Sequence, residues 1–276
     1  MKTTVKIIAA LALGVSLNAV LAAEGGRLHI ATHSDTPLRD ICNTLRDELG
    51  WQISYEEAPV FDRREIEPQV TATGFHYVAR RSVALSLDIP LPATVPNDQD
   101  RRAILKTVFD AYRASGNRGD FQYIQEGDRI QVFQTIVNGE DGKPRSFQPL
   151  LDTKVSIPRG TYSMFSLANL VVAQVSQKRG IPIGLGTYPR SFYQDTVTEE
   201  ANEEAARDVL ARAFDEANMS RVAARASLLR LTWSLNSLAG GPSYFFNVDV
   251  ASTESTRPQS KPADSPAPSP YFRKRN

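Results

Sequence analysis

The sequence predicts an α+β fold made of two tandem small modules, each a few-stranded mixed sheet with two helices packed on it. Three observations carry that prediction. Thr36 to Tyr55, TPLRDICNTLRDELGWQISY, reads as an amphipathic helix, a glycine stop and a short strand. The same helix–glycine–strand unit returns between Ser163 and Leu185. In each half a second helix then leads into a closing pair of strands. The expected organisation is a signal peptide over 1–22, a first module over 23–137, a linker over 138–149, a second module over 150–251 and a disordered Pro/Ser-rich tail over 252–276.

The N-terminus has the three parts of an export signal. Lys2 and Lys6 give a positive start, Ile7 to Val15 is an apolar run, and Val20-Leu21-Ala22 offers small side chains for cleavage after Ala22. The apolar run is shorter than the ~20 residues a membrane-spanning helix needs. The expected location is therefore periplasmic or secreted, without a stable membrane anchor. A formal charge of +1 over 276 residues gives no electrostatic reason to expect nucleic acid as a partner. The single cysteine, Cys42, has no intramolecular partner and falls on the apolar stripe of its helix, where it reads as a buried small hydrophobe.

Leu28 and Ile30 alternate with polar neighbours as a first strand. In the helix that follows, Leu38, Ile41, Cys42, Leu45 and Leu49 make one apolar stripe. Thr36 is the expected cap, Pro37 suits the first helical position and Gly50 the left-handed stop. Trp51, Ile53 and Tyr55 then alternate with Gln52 and Ser54 as a half-buried strand. Residues 56–96 read as a long irregular connection with a longer strand or bent pair inside 74–89. Asn97 caps the next helix, with Asp98 and Asp100 in its first turn and Ile104, Leu105, Val108, Ala111 and Tyr112 inward. A hairpin follows, turning at Glu126-Gly127-Asp128.

After the Gly- and Pro-rich 138–149 the order repeats. A strand carries Leu151 to Ile157, Ser163 caps a helix that Gly180 stops, and Ile181, Ile183 and Leu185 form the next strand. The acid-rich EEANEEAARD reads as the opening of a fourth helix, and two strands joined at Gly240-Gly241 close the half. The tail from Ser252 has too few apolar residues to offset its ordering entropy.

TPLRDICNTLRDELGWQISYEE resembles the start of the secretin and TonB-receptor N-terminal short domain, and DRRAILKTVFDAYRASG with FQYIQEGDRIQVFQT is similar to its second part. The likeness covers about 27–136 and, more faintly, 150–251. It implies a small α+β module that docks proteins in the bacterial envelope. The chain departs from the pattern in its longer connection from Glu56 to Pro96 and in having no barrel strands or secretin core after residue 251, as a stand-alone relative would.

No motif carries chemistry. His29 and His33 are four apart, but on a strand and the loop after it rather than one helix face, and His76 stands alone, so no metal site is expected. Gly184-Leu185-Gly186-Thr187 lacks the lysine of a phosphate loop and does not open a helix. Glu56-Glu57 reads as a strand running into a loop, and Glu199-Glu200 as acids at a helix N-terminus. The expectation is a non-catalytic protein-interaction or scaffolding protein of the envelope. It has no catalytic, cofactor-binding or metal residues, and it meets another envelope protein through an exposed strand edge. The alternatives are a hydrolase of an envelope polymer, with a cleft drawn from 56–96 and 187–200, and a small-ligand carrier with its cavity between the modules.

Overall fold

The structure is a computed structural model that describes residues 19–21, 26–70, 74, 76–92, 94–116, 119–223, 229–238 and 243–252. Most of the expected signal peptide, the Gly240-Gly241 turn and the tail after Ser252 lie outside these residues. Ala19–Leu21 (β1) pairs antiparallel with Arg27–Ser34 (β2). There follow Pro37–Leu49 (α1), Gln52–Glu56 (β3), Ile66–Val70 (β4), His76–Arg80 (β5), Val83–Pro90 (β6), Asp98–Ala114 (α2), Asp120–Glu126 (β7), Arg129–Asn138 (β8) and Pro144–Ser146 (β9). The second half has Lys154–Ser163 (β10), Met164–Arg179 (α3), Ile183–Leu185 (β11), Thr196–Ala205 (β12), Ala206–Ala223 (α4), Leu229–Ser237 (β13) and Tyr244–Ser252 (β14). The class is α+β, as the patterning predicted.

Local chemistry explains most boundaries. Gly50 and Gly180 both end their helices in the left-handed conformation, at φ 66° and 65°. Asn97 makes a full capping box, accepting from the amides of Gln99 and Asp100 while Asp100 accepts from the amide of Asn97. Ser163 accepts from the amide of Ser166. Thr36 is not the expected cap: its hydroxyl turns to the Asp35 carboxylate at 3.4 Å, and α1 starts on Pro37 without a side-chain acceptor.

The two halves repeat one pattern of pairing. In the first, β2 pairs antiparallel with β6, while β3 runs parallel to β8 and β8 antiparallel to β7. In the second, β10 pairs antiparallel with β12, while β11 runs parallel to β14 and β14 antiparallel to β13. Each half thus carries its helices between a two-stranded ribbon and a three-stranded mixed sheet, with one apolar core per half. The first half adds the β4–β5 hairpin and, on β2, the short β1.

The halves do not own separate main sheets. β13 runs parallel to β3, pairing Ser234 with Tyr55 and Leu235 with Glu56, so one sheet passes through both in the order β11-β14-β13-β3-β8-β7, with β9 added on β8. Paired residues of parallel neighbours project to the same face. Leu235, a core residue of the second half, therefore shares a face with Glu56, while Tyr55, a core residue of the first, shares the other with Ser234. The helices of the two halves lie on opposite faces of one sheet and overlap at the join. Asn218 of α4 meets Gln52 of β3, and Arg46 of α1 meets Asp249 of β14 at 3.1 Å.

That overlap corrects the reading of β3 as half-buried, because all five of its residues are buried. Three further expectations change. Within 56–96, β5 and β6 are the bent pair read inside 74–89, but the stretch before them also holds a strand, β4, paired with β5, so the connection is less irregular than expected. The expected linker 138–149 turns back as β9 on β8. TVTEEANEEA is strand β12, with Val197, Glu199 and Ala201 inward, and α4 begins only at Ala206, so Glu199-Glu200 are not at a helix N-terminus.

Candidate functional site

Two places gather what chemistry the chain has, and both depend on β3. The first is the polar seam under α4. Glu56 is fully buried, and its carboxylate receives Arg207 at 2.8 Å and the amide of Leu151 at 3.1 Å. Arg207 also reaches Asp152 at 2.9 Å and lies over the Phe133 ring at 4.1 Å. Burial pushes the Glu56 carboxyl above its ordinary range, against the pull of Arg207. This seam binds the second half to the first.

The second is a cavity of about 200 Å³ in the first half, walled in part by Tyr55, Glu57, Arg80, Tyr112 and Gln134. Glu57 is 1% exposed and accepts from the Tyr55 hydroxyl and the amide of Ser237, with Arg80 at 3.7 Å. Arg80 donates to the Ala58 carbonyl at 2.9 Å and to the Ser237 hydroxyl. Burial raises the pKa of both tyrosines, with Glu57 adding to the rise. Here residues of 56–96 do converge with titratable partners, as the hydrolase alternative required. None of residues 187–200 lines this cavity.

The remaining candidates stay apart. His29 bonds Asp88 at 2.8 Å across β2 and β6, while His33 and His76 are exposed. Among the described residues no group of three or more His, Cys, Asp or Glu side chains is placed to hold a metal ion. Gly184 to Gly186 belong to β11 and its end, and Thr187 donates its amide to the Asn247 side chain at 2.8 Å. Cys42 is buried, and burial pushes its thiol up to about 12. Glu199 is held by Arg212 at 2.9 Å. Among the described residues no helix is long and apolar enough to cross a membrane.

Among the described residues the sheet ends in two open edges, β7 and β11. β7 closes on β8 through the two-residue turn Gly127-Asp128, so the Glu126–Arg129 pair faces inward, and alternation turns the backbone of Phe121, Tyr123 and Gln125 outward. The outward amide of Phe121 is held by its neighbour Asp120 at 2.9 Å. Beside this edge runs a groove against α2, lined by Phe109, Tyr123, Arg102 and Lys106, with Phe109 and Tyr123 stacked. Sequence reasoning named strand edges in general but had no means to single out β7, because pairing partners distant in the chain are not written in local pattern. No protein-family model, curated protein or solved structure matches the chain.

Proposed function

We propose that the protein is an exported, non-catalytic interaction protein of the bacterial envelope that receives a partner strand on the open edge of β7. One observation carries the reading. β13 is the counterpart of β7 in the second half, and its outer edge already takes a strand, β3, from the other half. An edge of this build therefore accepts a foreign strand through backbone hydrogen bonds, the amide of Glu57 donating to the carbonyl of Leu235 at 3.0 Å. The export signal read at Lys2 to Ala22 supports the envelope address.

The test is capture from envelope extract with the chain from residue 23 onward, run beside Gln125→Pro. Proline at 125 removes an outward amide without touching the pairing to β8. The proposal expects one stoichiometric partner with the wild type and its loss with the variant. Equal capture by both, or none by either, overturns it.

The cavity supports a second reading, a site for a small polar ligand, because Glu57, Arg80, Tyr55 and Tyr112 converge there. Against catalysis, the Glu57 carboxylate is engaged by Arg80, Tyr55 and Ser237 rather than held free for a substrate. A ligand that raises the melting temperature of the wild type but not of Glu57→Gln would favour this reading.

A further inference from the structure

The repeat fixes more than the existence of a strand partner. Tyr55 and Tyr123 both pair with Val132, and Leu185 and Leu235 both pair with Phe246. Tyr55 therefore corresponds to Leu185, and Tyr123 to Leu235. Gly50 and Gly180 end the helices before β3 and β11 at the same spacing. Across the sheet, the second half maps on the first by a shift of three strands that also reverses strand direction and exchanges the helix-bearing face. That is a two-fold screw along the sheet. The join of β13 to β3 is its one internal use.

Applied once more, the same operation sets β7 beside β11 of a second copy, parallel, with Gln122 opposite Leu185 and Tyr123 opposite Gly186 of that copy. Both strands are the open ends of the sheet among the described residues. We propose that the partner of the β7 edge is β11 of a second copy of this chain, giving head-to-tail assembly with a continuous sheet. The proposal rests on the strand-addition reading above and names its partner.

The free ends carry the marks of the same geometry. In the internal join the amide of Glu57 donates to the carbonyl of Leu235. The counterpart amide on the open edge, Thr187, is held by the Asn247 side chain at 2.8 Å, in the place that the Tyr123 carbonyl of a neighbour takes in the assembly. Gly186 passes so close to Asn247 that a Cβ there would meet its Oδ1 at 2.1 Å. Asn247 and Asp120 thus blunt the two edges, so assembly must displace a side-chain cap at each end. Such a contact is heterologous. It does not close on itself in a pair, and it propagates as a filament or, with sufficient curvature, a ring. Six strands ~4.8 Å apart set a repeat of ~29 Å per copy along the assembly.

The experiment is sedimentation of the chain from residue 23 as a function of concentration, with two edge variants. Gln125→Pro blocks β7 and leaves β11 open, while Leu185→Pro blocks β11 and leaves β7 open. The wild type is expected to form species larger than dimers as concentration rises, and Asn247→Ala to do so at concentrations at least tenfold lower. Each blocked variant alone stays a monomer, and a mixture of the two forms a 1:1 dimer through the one open pair. Circular dichroism checks that both variants are folded, and Ile124→Lys replaces Gln125→Pro should the latter be unfolded. A wild type that stays monomeric at its solubility limit, or blocked variants that assemble alone, overturns the proposal. Should β7 still capture another envelope protein in a Gln125-dependent way, self-assembly fails while the strand-addition reading stands.

Discussion

Replacing Arg207 with Met removes the most deeply buried of the charges that cross between the halves while keeping an apolar stem over the Phe133 ring. The magnitude follows from what is left behind. Asp152 is 38% exposed on its side chain and regains water, so its loss is small. Glu56 is 0% exposed and keeps only backbone amides, those of Leu151 at 3.1 Å and Leu150, with no cation to balance its charge. Stranding one buried ion of a pair costs about 3–5 kcal/mol, to which the lost cation–π contact adds about 1. A loss of 3 kcal/mol lowers the melting temperature of a chain this size by roughly 6–12 °C. Urea unfolding of Arg207→Met, Glu56→Gln and the double variant measures the coupling. The double variant is expected to regain at least half of the Arg207→Met loss at neutral pH, because no charge is then stranded. The deficit of Arg207→Met is also expected to shrink on acidification, as Glu56 takes up a proton. A loss under about 1 kcal/mol, or strict additivity of the two changes, would refute the reasoning.

The same structure sets expected outcomes at four residues. In the wild type, Glu56 has its folded pKa raised by burial, so its contribution to stability is greatest below the usual glutamate value and is lost as pH rises through the folded one; Glu56→Gln should flatten that slope in stability measured between pH 4 and 7. Cys42 should resist alkylation at pH 8 in the native protein and react fully in denaturant, and its folded pKa of about 12 against 9.0 means stability falls as pH rises above 9. Gly180→Ala meets open space and should cost only the left-handed backbone penalty, about 1 kcal/mol by urea unfolding. Gly119→Ala should cost more, since at φ +87° its Cβ would sit 2.5 Å from the carbonyl of Ile136, which is backbone and cannot swing away.

What was legible in the sequence was whatever local chemistry decides. Gly50, Gly180, Asn97 and Ser163 end or start helices for reasons carried by one or two residues, and the apolar stripe of α1 faces its core as read. What was not legible came from the other half of the chain. Gln52, Ser54 and Glu56 alternate like a solvent face, and they are buried because α4 lies over them some 150 residues later in the chain. Glu and Ala favour helix, which hid β12, although Val197 and Ala201 alternating with Thr198 and Glu200 was a visible sign of strand. The join between the two halves escaped the sequence for the same reason. The register of β13 against β3, which makes the two main sheets one, is a tertiary fact, and so is the pairing that turns part of 138–149 into β9 on β8.

The chain has two tryptophans, Trp51 at the head of β3 and Trp233 in β13, both buried, so each half carries its own reporter of unfolding. Fluorescence-monitored urea unfolding of Trp51→Phe and Trp233→Phe, referred to the wild type followed by circular dichroism, reads the two halves separately. A sheet continuous through β13 and β3 predicts coincident transitions after correction for each variant's own stability change. Two transitions separated by more than that correction, with the first half unfolding while the second stays folded, would contradict a shared sheet and the strand exchange inferred from it.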